Sequence, residues 1–150
     1  DLHIVGDGPE RGAIEQLIAS AGPQAVSRIH LLGYKSGEDL QREVGNARFT
    51  VLSSEWRENM PYSGLESLAA QTPIIGARIG GIPELVEEGK TGVTFESGDA
   101  VDLLNSMRKC SAVSASSYSS MQRFCREYVN ARCLQNKYAL TLIDLYERVI

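Results

Sequence analysis

The chain lacks any apolar run near the roughly 20 residues that a membrane-crossing helix needs, so it offers no spanning segment. It also lacks an excess of positive charge. Lys and Arg number 15 against 19 Asp and Glu, giving a net charge of −4 and an isoelectric point near 5.2. Such a chain has no sequence-independent attraction for nucleic acid, and no nucleic-acid partner is expected. Arg108, Lys109, Arg123, Arg126, Arg132 and Lys137 punctuate the C-terminal helices, but acids are interspersed and the default is a solvated face. Cysteine and histidine are scarce. Cys110, Cys125 and Cys133 are odd in number and form no Cys-x-x-Cys pair. With His3 and His30 as the two histidines, there is no metal-ligand spacing and no disulfide framework, so no metal site is expected. Free, mostly buried thiols in a reducing compartment are the consequence, which points to the cytoplasm. Both histidines fall in or beside predicted strands and read as packing residues. No secretory leader opens the chain. Asp1-Leu2-His3-Ile4-Val5 reads instead as a strand entered without lead-in, as expected of a piece of a longer protein.

What is present is an ordinary globular composition, 43% hydrophobic and 23% charged over 150 residues. That suffices for one domain with a real core. Short apolar runs alternate with helical periodicity. Strands are predicted at Leu2–Val5, Arg28–Leu32, Phe49–Leu52, Pro73–Ala77 and Val93–Phe95. Helices are predicted at Glu10–Ala21, Gly37–Asn46, Tyr62–Ala70, Pro83–Glu88 and about ten residues from Ala100, the last capped by Ser97-Gly98-Asp99. Gly22-Pro23 should stop the first helix. Ser111–Ser120 reads as a loop or a frayed helix end, and 121–150 as helical with a break near Asn130. The alternation predicts an α/β, Rossmann-like fold, a parallel sheet flanked by helices on both faces. Ligands of such folds bind at the carboxyl ends of the strands. Gly6–Pro9, Gly33–Gly37, Ser53–Pro61 and Arg78–Pro83 all come directly after predicted strands and should gather on one edge.

The densest information lies between Ser53 and Gly92. Glu58 and Glu66 stand eight residues apart, with Pro61, Ser63 and Gly64 between them. Pro73-Ile74-Ile75 comes next, then Gly80-Gly81-Ile82-Pro83-Glu84. Two loops run directly into helices, whose first N–H groups and positive dipole ends suit phosphate. A carboxylate about one turn into the first helix, Glu66, is placed to hold ribose hydroxyls. The combination points to a nucleotide-sugar site.

These residues resemble the Glu-x7-Glu motif of retaining glycosyltransferases of the GT-B fold, family 4 (group 1) in particular. The agreement runs in order along the chain. Ile4-Val5-Gly6-Asp7-Gly8-Pro9 is similar to a strand and turn of that family's C-terminal domain. Leu31-Leu32-Gly33-Tyr34, Val51-Leu52-Ser53-Ser54, Thr72-Pro73-Ile74-Ile75, Glu88-Gly89-Lys90-Thr91-Gly92 and Ser97-Gly98-Asp99 resemble successive segments of the same domain. The resemblance is close over about residues 2–108 and loose beyond, through Tyr146-Glu147. It departs at Ser67, where the family has Ala, and at Gln71, where it has Gly. A left-handed residue commonly ends a helix there, so Gln71 implies modest strain or a different helix end.

The resemblance implies an enzyme that moves a sugar from a nucleotide-diphosphate donor to an acceptor with retention. No cofactor is implied, the nucleotide-diphosphate sugar being the substrate. Residues 1–150 would be part of the C-terminal, donor-binding domain, with C-terminal helices from about 121. The acceptor, a saccharide or lipid-linked one, would be held by an N-terminal domain absent from this sequence. A basic pair that grips the diphosphate would lie upstream, so the isolated fragment should bind donor weakly and be inactive. Peripheral contact with the cytoplasmic membrane face stays an alternative. Glu58 would face the donor sugar as the catalytic carboxylate, and Glu66 would hold the ribose. Ser63, Gly64 and Leu65 would present N–H groups to phosphate, with Gly64 also readable as a packing residue. Gly6 and Gly8 would lie at the nucleotide edge, and Tyr34 and Lys35 near the base. Gly80 and Gly81 would shape the pocket, though a structural turn is the stronger reading. Trp56 and Tyr62 read as core or rim packing, with stacking as the alternative. A nucleotide-sugar epimerase of similar fold and a non-catalytic nucleotide-binding or interaction module remain as other readings. A dinucleotide-binding domain is weaker, since the first loop has Gly6, Gly8 and Gly12 rather than Gly-x-Gly-x-x-Gly.

Overall fold

A computed structural model describes residues 1–133 and 135–149. The chain divides into two compact units, Asp1–Gln41 and Arg42–Ile150. In the first, β1 (Leu2–Val5) pairs in parallel with β2 (Ile29–Gly33). Between them run α1 (Arg11–Ser20) and α2 (Pro23–Arg28). Gly22-Pro23 does stop α1, but Pro23 then starts a six-residue helix where only a turn was expected. Proline at the first helical position has its φ preset and no N–H to lose, and a single turn carries too few apolar positions to show a period. No residue of this unit is fully buried.

In the second unit, α3 (Gly37–Asn46, which begins in the first) leads into β3 (Thr50–Leu52). Then come α4 (Tyr62–Ala69), β4 (Ile74–Ala77), α5 (Ile82–Leu85) and β5 (Gly92–Phe95). The three strands form a parallel sheet in the order β3-β4-β5. The single sheet expected from the alternation is thus present as two parallel ladders, one per unit. The helices α6 (Ala100–Ser111), α7 (Ala115–Arg132) and α8 (Gln135–Val149) complete the chain. Asp99 caps α6 as expected, accepting from the Val101 and Asp102 N–H groups at 2.8 and 3.0 Å.

The serine patch is not a loop. Ser114 accepts the Ser117 N–H at 3.2 Å and caps α7, and Ser116–Ser120 form its first turns. Serine favours this position because its hydroxyl replaces a missing intrahelical acceptor. The helical break falls at Cys133, three residues past Asn130. Leu134 and Ile150 of the expected C-terminal helices lie outside the described residues.

The core sits on both sides of β4. Ile74 joins Leu68, Leu85, Val86, Cys125 and Tyr128 on one face. Ile75 and Ala77 join Ile82, Phe95 and Cys110 on the other. Period-two alternation of an apolar run explains the division. Each fully buried Leu or Ile here contributes roughly 1.5–3 kcal/mol relative to exposure. Tyr128 ties α7 to α5 by donating its hydroxyl to the Glu84 carbonyl at 2.7 Å. Arg132 lies over the Tyr128 ring at 4.4 Å and pairs with Glu87 at 3.2 Å.

The end of α4 explains the unusual Gln71. Its φ is +61°, the left-handed conformation. The Gln71 N–H bonds the Leu68 carbonyl at 3.0 Å and the Thr72 N–H bonds that of Ser67 at 2.9 Å. That pair of bonds is the Schellman ending, which glycine fills most cheaply. Gln71 also accepts from Arg126 Nη2 at 2.9 Å, a tie to α7 that glycine lacks.

Candidate functional site

In the second unit the functional loops leave the carboxyl ends of β3, β4 and β5. The loop after β3 carries Glu58, and α4 carries Ser63, Gly64, Leu65 and Glu66. The loop after β4 carries Gly80 and Gly81. The two loops are fitted backbone to backbone. The Gly81 N–H donates to the Glu58 carbonyl at 2.7 Å. A Cβ on Gly80 would stand 2.5 Å from the Glu58 carbonyl oxygen, and one on Gly81 only 1.7 Å from that of Asn59. No real Cβ tolerates such approaches, so the double glycine is what lets the Glu58 loop seat on the strand β4 edge of the site. Turn formation was the expected reason for Gly80-Gly81; close approach to a segment over 20 residues away is the larger one.

The Glu58 carboxylate is exposed at the surface of this seat, and its Oε1 accepts from Ser54 Oγ at 2.7 Å. Arg78, next to β4, binds the loop after β5: its guanidinium meets Glu96 Oε2, Thr94 Oγ1 and Asp102 Oδ2, each at 3.2 Å. Arg78 is therefore occupied in bracing these loops together.

Glu66 is exposed on α4, one residue past the first helical turn. Ser63 is exposed, while Gly64 is buried. A Cβ on Gly64 would meet Leu85 Cδ1 at 2.5 Å and Leu52 Cδ1 at 3.1 Å. Glycine here lets α4 press onto the sheet. The Gly64 and Leu65 N–H groups both point to the Pro61 carbonyl, at 3.0 and 3.4 Å. Trp56 and Tyr62 are not core residues: they are 84% and 81% exposed, on either side of Glu58.

In the first unit Gly6 and Gly8 lie in the turn after β1. The Gly6 N–H donates to the Gly33 carbonyl at 2.8 Å, joining the ends of β1 and β2. The Gly8 N–H is held by Asp7 Oδ1 at 2.9 Å. Beside the turn is a cavity of about 280 Å³, lined by Ile4, Gly6, Gly8, Pro9, Arg11 and Leu31 among others. Tyr34, 77% exposed, and Lys35 come directly after β2. His3 and His30 meet edge to face, ring centres 5.3 Å apart, as cross-strand neighbours.

Burial pushes the Cys110 thiol up to about 11, with the Glu88 charge adding to it, and the Cys125 thiol up to about 12. Both are inert packing residues; Cys133 is exposed, and all three are free. Among the described residues, no group of three or more His, Cys, Asp or Glu is placed to hold a metal ion. No helix among them is long and apolar enough to cross a membrane.

Ser54 and the loop after β5 were not singled out by sequence. A serine one helical turn before the first motif glutamate was the available signal.

Residues 1–112 match the family described as Glycosyl transferases group 1. The sulfoquinovosyl transferase of Arabidopsis thaliana is 33% identical over 110 residues, 71% of this chain and 20% of its own length. The N-acetyl-alpha-D-glucosaminyl L-malate synthase of Bacillus anthracis is 36% identical over 98 residues, 65% of this chain and 24% of its own. Among solved structures, HepE of Anabaena in complex with UDP superposes with a TM-score of 0.77 at 20% identity, covering 95% of this chain and 40% of that one. The chain thus spans about a fifth to a quarter of the length of these curated relatives.

Proposed function

We propose, because this chain belongs to the group 1 glycosyltransferases, that it is the donor-binding part of an enzyme that transfers a sugar from a nucleotide-diphosphate donor with retention of configuration. Residues 1–150 belong on this reading to the C-terminal domain of a GT-B enzyme. The acceptor is a saccharide or a lipid-linked one, and the product a polysaccharide or glycolipid. The observation that carries the reading is the seating of Glu58. Its backbone is clamped by Gly80-Gly81 at the carboxyl ends of a parallel sheet while its carboxylate stays exposed. HepE has been solved with UDP-glucose, which supports a nucleoside diphosphate sugar as donor.

The roles rest on charge and position. As the glycosidic bond to the nucleotide breaks, the sugar ring gains oxocarbenium character, and a fixed carboxylate stabilises that positive charge. Glu58 fills this role. Glu66 accepts hydrogen bonds from the ribose hydroxyls. The start of α4, with Ser63 exposed at its second position, faces the leaving diphosphate. Tyr34 and Lys35 lie against the base, and Gly6 and Gly8 border it. The free thiols fit a reducing cytoplasm.

The test is nucleoside diphosphate release by the full-length protein, with Glu58→Ala and Glu66→Ala beside it. Glu58→Ala should abolish turnover in a protein that stays folded. Glu66→Ala should mainly raise the donor KM. A titration with UDP, GDP, ADP and CMP names the base. Unchanged turnover in Glu58→Ala overturns the site assignment, and isomerised donor without nucleotide release makes the protein an epimerase.

A further inference from the structure

The motif glutamate is held by its side chain as well as by its backbone. Ser54 Oγ–H points to Glu58 Oε1 at 2.7 Å. Ser54 is itself held from outside its loop: Ser97 Oγ, in the segment after β5, donates to the Ser54 carbonyl at 3.3 Å. The same segment is tied to the end of β4 by Arg78 and Glu96. Loops from three parallel strands therefore converge on one carboxylate. Left alone, an exposed glutamate samples many rotamers, and a charge that must be gathered at the moment of reaction stabilises little.

We propose that Ser54 is a positioning residue for Glu58: its hydroxyl fixes one carboxylate oxygen, with Ser97 bracing the Ser54 backbone, so that the charge is already aimed when the donor sugar arrives. The inference rests on the catalytic reading of Glu58. Ser54 does not touch the substrate. It acts by selecting one orientation of the group that does, and its effect belongs to kcat rather than to donor affinity.

The competing account is a local bond that merely tidies the loop. Two replacements of the same shape separate them. Ser54→Thr keeps the hydroxyl, and Ser54→Val has a matching outline without it, so any cost of bulk is common to both. In the full-length protein, Ser54→Val is expected to turn over roughly tenfold more slowly than Ser54→Thr, the rate equivalent of one hydrogen bond to a charged group. The donor KM should differ between them by less than about twofold. In a Glu58→Ala background the Thr and Val forms should be equally slow, because Ser54 then has nothing to position. Equal kcat for the two variants in the presence of Glu58 overturns the inference, as does a difference that persists without Glu58. If Glu58→Ala itself is silent, the proposed function fails first, and that result is read from the single variant alone.

Discussion

Gly81→Ala isolates what the Gly80-Gly81 clamp does. Gly81 has φ −87° and ψ −2°, an ordinary right-handed conformation. Alanine adopts it without strain, so the whole effect of the substitution is steric. The new Cβ would lie 1.7 Å from the Asn59 carbonyl oxygen, 2.7 Å from its carbon and 3.3 Å from the Glu58 oxygen. A relaxed carbon–oxygen contact needs roughly 3.3 Å. The Asn59 carbonyl must therefore retreat by about 1.5 Å, and the 2.7 Å bond from Gly81 N–H to the Glu58 carbonyl stretches or breaks with it. No core atom is removed and one hydrogen bond is lost, so stability should fall by roughly 0.5–1.5 kcal/mol. Turnover should suffer more. A displacement of this size at a reacting group costs about 100-fold, equivalent to about 2.7 kcal/mol of barrier. The assay is kcat for nucleoside diphosphate release by the full-length protein, with a thermal melt on the same sample. Gly12→Ala, on α1 with nothing within 4 Å of the added methyl, is the matched control and should leave kcat unchanged. A Gly81→Ala protein whose kcat stays within about threefold of the parent would refute the claim that the clamp sets the Glu58 position.

Other perturbations test the surrounding framework. Gln71→Gly should relieve left-handed strain of roughly 1–2 kcal/mol while giving up the Arg126 bond and adding freedom to the unfolded chain. Stability should therefore hold or rise by up to about 1 kcal/mol, and a clear loss in urea titration would contradict the Schellman assignment. Tyr128→Phe should cost about 1–1.5 kcal/mol by orphaning the Glu84 carbonyl; an unchanged melting temperature would show that the bond contributes nothing. In the native protein Cys133 should react with a thiol reagent at once, and Cys110 and Cys125 only after unfolding. Three fast thiols would contradict the packing. The raised Cys110 and Cys125 values have a pH consequence with a definite sign. The folded state keeps these protons longer than the unfolded chain does, so the stabilisation is complete below the free-thiol value of 9.0 and is lost as pH climbs toward about 11–12. Denaturant midpoints measured from pH 8 upward should stay level and then fall; a rise above pH 9 would reverse the argument.

Much of the α/β order was legible because local pattern and tertiary role agree. Gly37–Asn46 is helical over its expected span, and the apolar runs at 74–77 and 93–95 are strands. What escaped was short or depended on distant partners. The six-residue α2 is too brief for periodicity to report. The serine tract reads as a loop by composition, yet Ser114 uses that same hydrogen-bonding tendency to start a helix. At the site, Glu58 and Glu66 stand out by spacing. The reason for Gly80-Gly81 does not, because the backbone they admit belongs to residues 58 and 59. Ser97 was invisible for the same reason, acting on a carbonyl 43 positions earlier. Gln71 is the opposite case: a departure from glycine at a helix end announced its left-handed conformation before any coordinates did.

β4 has a partner strand along each edge and a packed cluster against each face. A strand enclosed in this way opens only when the whole unit unfolds, so its amides should be among the last to exchange with deuterium. The turns after β1 and β2, in a unit with no fully buried residue, should exchange orders of magnitude sooner. The clamp that seats Glu58 hangs directly from the end of β4. The group that must hold still during reaction is thus moored to the part of the chain with the slowest clock, while the segments flanking the other cavity are free to breathe on a faster one.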